Sequence, residues 1–241
     1  MTGFQGRTFW LVGASEGLGR ELARGLSASG ANVILSARNA ERLEELCAEL
    51  PGSRALPMDV TEATSVHAAC NAVGQIDGLI YNAGAYEPVR ATNWNSTAAL
   101  TMMDVNLNGA IRVLGEVLPG FLTRGHGDIT LIGSLAGYRG LPAAVGYGAS
   151  KSALISLAET MRHDLKGTGV VVRVINPGFV KTRLTEKNNF RMPMIMEPED
   201  AATRVLRAMR SDRFRTDFPA PFSWGLKLYG MLPDWVVYRG G

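Results

Sequence analysis

An apolar run, Arg7 to Val12, breaks directly into Gly13-Ala14-Ser15-Glu16-Gly17-Leu18-Gly19, and the residues beyond it fall at helical spacing. Leu18, Leu22, Ala23 and Leu26 share one face of a helix over Leu18 to Ser29, which Gly30 stops. A buried strand therefore turns into a helix through three glycines. Glycine accepts the tight backbone angles of such a turn and lets backbone N–H groups close on a ligand. At a helix N-terminus those groups suit a pyrophosphate, which makes Gly13, Ser15, Gly17, Leu18 and Gly19 candidate dinucleotide contacts. The spacing is G-x-x-x-G-x-G rather than the commoner G-x-G-x-x-G, and an ordinary glycine-rich strand-to-helix turn is the competing reading.

The same alternation continues along the chain. Ala31 to Ser36 is apolar and β-branched, Ala40 to Leu50 is a charged helix, and Ser53 to Met58 is a third strand candidate. Thr61 to Val73 reads as a helix with Thr61 as N-cap and Glu62 in its first turn, followed by a fourth strand over Ile76 to Tyr81. A long helical pattern spans Thr97 to Thr123, and Asp128 to Gly133 is a strand. Val145 to Lys166 is a helix, and Val170 to Ile175 is almost wholly apolar. Continuous apolar strands are those covered on both faces, so strand–helix alternation predicts an α/β fold, a doubly wound parallel sheet with helices on both faces. With no linker or low-complexity segment among the 241 residues, residues 1–241 read as a single Rossmann-type domain.

Composition narrows the function classes. The formal charge is +3 and basic residues alternate with acidic ones. The densest basic stretch, Arg210, Arg213 and Arg215, is interrupted by Asp212 and reads as a solvated helix end, not as a nucleic-acid footprint. Cys47 and Cys70 lie in amphipathic helices without metal-ligand spacing, as expected of reduced thiols in a cytoplasmic protein. Met1 to Arg7 shows no signal-peptide pattern. Phe218 to Tyr238 is about the length of a membrane span. Pro219, Pro221 and Pro233, with Lys227 and Asp234, argue against a spanning helix and leave two alternatives, an apolar cap or a surface that touches lipid.

Tyr147 and Lys151 stand four apart, on one face of a helix. A free phenol has a pKa of about 10, too high for efficient acid–base work at neutral pH, and a neighbouring ammonium is expected to lower it. Many solvated helices carry such a pair. Ser134, thirteen residues earlier at the end of a predicted strand, adds weight, because strand ends line the ligand crevice of an α/β sheet.

The glycine spacing, Tyr81-Asn82-Ala83-Gly84, Ser134 and Tyr147-x-x-x-Lys151 together resemble the short-chain dehydrogenase/reductase superfamily in its compact single-domain form. The resemblance runs from Arg7 to Thr182; Tyr81 departs from an Asn-Asn-Ala-Gly element, and the final stretch departs from the more familiar ending. It implies that Ser134 hydrogen-bonds the substrate oxygen, Tyr147 transfers a proton, and Lys151 also holds the nicotinamide ribose. Asn106 matches an asparagine supporting a proton relay to that lysine, with Asn108 as a competitor; locally satisfied polar residues are the plainer reading of both. Asp59 and Val60 match the adenine contact. Asn82, Ala83 and Gly84 match the adenosine-ribose element, and Pro177, Gly178, Val180 and Thr182 match the carboxamide-holding segment.

Cofactor choice rests on the second strand's end. An acid there would bind a ribose 2′-OH, whereas this chain has Ser36-Ala37-Arg38, and Arg38 suits a 2′-phosphate. NADP(H) is therefore expected, with Glu16 as a counter-signal and a surface role for Arg38 as the alternative. The expected activity is an oxidoreductase moving a hydride between NADP(H) and a carbonyl or alcohol. The alternatives are a non-catalytic NADP-binding regulator and a lyase, isomerase or epimerase on the same scaffold. Residues 182–197, with Phe190, Met192, Met194, Ile195 and Met196, fall in the family's substrate loop and hint at an apolar or bulky substrate, or at ordinary packing. The aromatic tail, residues 218–241, is expected beside that loop or as a core cap. The resemblance implies a homodimer or homotetramer through the helices over Thr97–Thr123 and Val145–Lys166.

Overall fold

In the computed structural model, residues 3–238 are described; Met1, Thr2 and residues 239–241 of the tail segment lie outside the described residues. Seven parallel strands form one sheet: β1 (Thr8–Val12), β2 (Asn32–Ser36), β3 (Ser53–Ala55), β4 (Gly78–Tyr81), β5 (Gly127–Ile132), β6 (Val170–Pro177) and β7 (Arg215–Phe218). Their order is β3-β2-β1-β4-β5-β6-β7. The chain winds outward from β1 to β3, then returns to β4 on the other side of β1. That reversal opens a crevice at the carboxyl ends of β1 and β4, where Val12 stands opposite Tyr81.

Alternation within β1 explains the two layers. Phe9 and Leu11 pack with α1 (Gly17–Ala28), α2 (Ala40–Glu49) and α7 (Pro198–Met209). Trp10 and Val12 face α3 (Ala63–Val73), α5 (Gly109–Arg124) and α6 (Val145–Asp164). Both sets are buried, as strands between two helical layers must be. The Trp10 indole N–H donates to Ser36 Oγ (2.8 Å), whose hydroxyl donates to the Leu56 carbonyl (2.6 Å), so its polar edge is satisfied.

Several expectations are corrected. The helix expected from Thr61 begins at Ala63 with Glu62 as its cap residue; Thr61 instead donates its N–H and hydroxyl to the Asp59 carboxylate (2.9 and 2.8 Å). The long helix over Thr97 to Thr123 divides into α4 (Ser96–Met103), a π-helical turn over Asp104–Asn108, and α5. Tyr81 occupies the break: its hydroxyl donates to the Val105 carbonyl (2.6 Å), and a Cβ on Gly109 would lie 2.4 Å from the Tyr81 hydroxyl oxygen. Arg215 does not end a helix. It opens β7, lies over the Tyr138 ring (5.7 Å) and pairs with Glu159, whereas Arg210 does cap α7. The third strand closes at Ala55, although Leu56 and Met58 still bond Leu35 and Ala37 of the neighbouring chain run (2.8 and 3.0 Å).

The tail folds back as α8 (Phe222–Met231) and the short α9 (Asp234–Val237). Among the described residues no helix is long and apolar enough to cross a membrane.

Candidate active site

Ser134 follows β5 and starts a tight turn over Leu135–Gly137, its hydroxyl accepting from the Ala136 N–H (3.1 Å). α6 carries Tyr147 and Lys151 on the face toward that turn. The Lys151 ammonium is buried and donates to the Ile132 carbonyl at the end of β5 (2.9 Å). It lies 5.9 Å from the centre of the Tyr147 ring.

The electrostatics differ from the sequence expectation that the ammonium lowers the phenol. Burial pushes Tyr147 above its ordinary value; the adjacent Ser134 hydroxyl pulls it back and Tyr86 adds to the rise. Burial also lowers Lys151, to about 8. One Lys151 N–H is directed at Ile132, and the rise of Tyr147 comes from its desolvation.

Two cavities meet at this point. A groove of about 750 Å³ runs along the carboxyl ends of the strands, and an apolar pocket of about 640 Å³ opens beside it. Ser134, Tyr147, Gly178, Leu184 and Thr185 line both. Every residue expected to touch a dinucleotide lines the groove except Gly19. Gly19 lies beneath: a Cβ there would stand 1.9 Å from the Gly13 carbonyl oxygen, so it sets how closely α1 approaches the turn. Gly13 adopts φ +91 against Ala83, and Asn82 locks the turn by donating its side-chain amide to the Gly13 carbonyl (2.7 Å). Thr182 closes over Gly17, where a Cβ would meet its methyl at 2.8 Å. No side chain caps α1, so its first-turn N–H groups remain for a ligand at the groove.

Asn106 does not line either cavity. Within the π-helical turn it is fully buried; its oxygen accepts from Ala85 N–H (2.7 Å), and its amide donates to the Ala85 carbonyl (3.1 Å) and Ser150 Oγ (2.9 Å). It staples the segment after β4 to α6. Asn108 bonds Asp104 on the exposed side.

A family model described as short chain dehydrogenase matches residues 7–192. The chain belongs to the short-chain dehydrogenase/reductase family. Its relatives include an uncharacterized oxidoreductase of Myxococcus xanthus, 36% identical over 236 residues, covering 95% of this chain and 93% of the relative. A ketoacyl reductase of Nostoc, HetN, is 34% identical over 223 residues, covering 88% of this chain and 78% of the relative. A solved short-chain dehydrogenase from Burkholderia cenocepacia, in complex with NADP, has the same fold with TM-score 0.85 at 24% identity, covering 99% of this chain and 96% of that one. The chain is thus an oxidoreductase by family, and the family uses nicotinamide cofactors on small molecules.

Three residues of this dehydrogenase's site escaped the sequence reading. Glu16 is bracketed by Arg42 and Arg183, each 2.9 Å away, so its charge at the groove mouth is compensated. Arg42 was within reach of sequence reasoning, one helical turn beyond Arg38; Arg183 is brought there by the fold alone. Tyr86 sits edge-on to Tyr147 with ring centres 5.0 Å apart, and its hydroxyl donates to Asn188 in the segment over residues 182–197 (2.6 Å). No spacing marks Tyr86 in the sequence.

Proposed function

We propose that this chain is an NADP(H)-dependent reductase of apolar carbonyl compounds, with Tyr147 as the proton donor. The observation that carries the reading is the junction of groove and pocket at Ser134 and Tyr147. A dinucleotide in one cavity and a carbonyl in the other would meet at those two hydroxyls. The glycine cradle, uncapped α1 and groove-lining Asp59, Val60, Asn82, Ala83 and Gly84 fit the phosphate, ribose and adenine portions. Pro177, Gly178, Val180 and Thr182 fit the nicotinamide end. When bound, the reduced nicotinamide supplies the hydride.

The residues handle the oxygen. Ser134 hydrogen-bonds the carbonyl, and Tyr147, a phenol whose ordinary pKa of about 10 already keeps it protonated at neutral pH, donates its proton as negative charge develops on the oxygen. Lys151 spends one N–H on Ile132 and keeps two others, for the phenolate left behind and for the ribose. Asn106 acts as a positioning residue, fixing Ala85 and α6 relative to each other.

Arg38 is exposed at the groove mouth, and Arg42 and Arg183 offset Glu16, leaving three cations to one carboxylate around the proposed 2′-phosphate position. That balance favours NADP(H). We also read the protein as a cytoplasmic homo-oligomer, from free Cys47 and Cys70 and from exposed apolar side chains on α4 and α5.

The test is a panel of ketones and 3-ketoacyl esters incubated with NADPH, followed by loss of reduced-nicotinamide absorbance. Consumption with at least one apolar ketone is expected. Tight NADPH binding without turnover on any compound would overturn the catalytic reading and leave a nucleotide-binding module.

A further inference from the structure

We infer that the apolar pocket is a chain-binding subsite with α8 as one of its walls, and that Arg139 sets its shape by fixing where α8 lies. The inference rests on the reading of Ser134 and Tyr147 as the reacting end.

The pocket's size and chemistry are the first observations. At about 640 Å³ it is far larger than a short ketone, and it lies within the usual range for ligand sites. Ser134 and Tyr147 present hydroxyls where it meets the groove; Thr185 also lines both cavities, and Tyr86 stands edge-on to Tyr147. The lining is mainly apolar, with Leu141, Phe179, Phe190, Phe222 and Leu226, and Arg90 and Lys187 are the cations in it. Phe222 stacks on Phe179 with ring centres 5.7 Å apart, and Phe190 meets the same ring edge-on at 5.9 Å. Phe222 and Leu226 are one turn apart on α8, so the helix presents one apolar face to the pocket.

The placement of α8 is the second. Arg139 lies five residues after Ser134, just beyond the tight turn that Ser134 starts. Its guanidinium donates to the carbonyls of Gly230 (3.1 Å) and Leu232 (3.0 Å), which close the end of α8, and pairs with Asp234 at 2.6 Å. It also lies against the rings of Tyr229 and Tyr238, each 5.8 Å away. A second tie runs from the middle of the helix: Lys227 pairs with Asp217 of β7, whose carboxylate accepts from the Tyr138 hydroxyl (2.6 Å). Tyr138 and Arg139 are adjacent. The two residues that follow the Ser134 turn therefore tie α8 down, so the position of that wall relative to Ser134 is built into one stretch of chain.

A homologous series of methyl ketones, 2-butanone to 2-dodecanone, reads this out with NADPH as reductant. In the wild-type protein kcat/KM should rise by about fourfold per added methylene while the chain still finds apolar wall. Leu226→Trp, which takes up room along the α8 wall, should lower kcat/KM for 2-decanone at least about tenfold more than for 2-butanone. Arg139→Met keeps the apolar stem but loses the carbonyl and carboxylate bonds. It should raise KM for 2-decanone and flatten the chain-length slope while leaving kcat for 2-butanone at the wild-type value. If Arg139→Met does not fold, the Leu226→Trp comparison decides alone. An unchanged ratio of 2-decanone to 2-butanone in Leu226→Trp overturns the subsite and leaves the proposed chemistry intact. Should the wild-type protein reduce no ketone, the unfolding midpoint is the second readout. A greater upward shift with 2-decanone than with 2-butanone, lost in Leu226→Trp, supports the subsite although the chemistry fails; no shift with either ketone overturns it.

Discussion

Lys151 keeps its charge in a buried place, donating to the Ile132 carbonyl, and its pKa falls from an ordinary 10.5 to about 8. The consequence for stability has a definite sign. Below pH 8 both folded and unfolded states hold the proton, and the fold bears the full cost of burying it. Between about 8 and 10.5 the folded state releases the proton while the unfolded state retains it, so stability rises with pH, by up to about 3 kcal/mol. Cys70, pushed up to about 12 by burial, works in the opposite direction above pH 9, so the informative quantity is a difference. Urea midpoints of the ligand-free wild-type protein minus those of Lys151→Met should climb from pH 8 to pH 10; a flat difference contradicts the burial account. The identity and spacing of Ser134, Tyr147 and Lys151 were legible in the sequence because a motif is a matter of residue type. The direction of the pKa shifts was not, because burial is decided by neighbours remote in the chain. Glu16 shows the same limit: its carboxylate reads as a repulsive charge until Arg42 and Arg183 are seen beside it. Cofactor choice follows from that cluster. One charge-assisted contact of Arg38 to a 2′-phosphate is worth about 1.5–3 kcal/mol, or roughly 10- to 150-fold in affinity. Wild-type kcat/KM should favour NADPH over NADH by that order, and Ala37→Asp with Arg38→Leu should reverse the preference. Equal values in the wild-type protein would mean that Arg38 is a surface residue only.

At the level of elements, apolar runs and glycine punctuation identified six of the strands and most of the helices between them, since a strand buried on both faces advertises itself. β7 was missed because Arg215-Thr216-Asp217-Phe218 has a single apolar member. As an edge strand it pairs with β6 alone, and only Phe218 joins the apolar core. The break between α4 and α5 was illegible for another reason. Its periodicity is continuous, and the interruption coincides with Tyr81, the residue that departs from the family's Asn-Asn-Ala-Gly element. The π-helical turn places Asn106, so the Tyr81 bond reaches the site through an element rather than by contact. Tyr81→Phe removes the hydroxyl and its bond to the half-buried Val105 carbonyl, which should cost about 0.5–1.5 kcal/mol. The check is the denaturant midpoint at constant m-value; a change below about 0.5 kcal/mol would mean that the turn holds without it.

The whole molecule places two apolar layers around one sheet and brings both cavities to the same edge, where β1, β4, β5 and β6 end. Beyond that edge, Leu100, Ile111 and Leu122 on α4 and α5 are 67%, 49% and 43% exposed. Their exposure supports pairing of these helices with a second copy of the chain. Light scattering at micromolar concentration should report a dimer or tetramer, shifted toward monomer by Ile111→Glu; a monomeric wild-type protein contradicts the pairing. Neither assembly nor groove, however, bears on the central claim as directly as the phenol at the junction. The decisive measurement is kcat/KM for NADPH-dependent ketone reduction by Tyr147→Phe, taken beside its NADPH dissociation constant and unfolding midpoint. The account predicts a fall in kcat/KM of roughly 10²- to 10⁴-fold with binding and midpoint at wild-type values. Turnover close to wild type in the folded, NADPH-bound variant would contradict it.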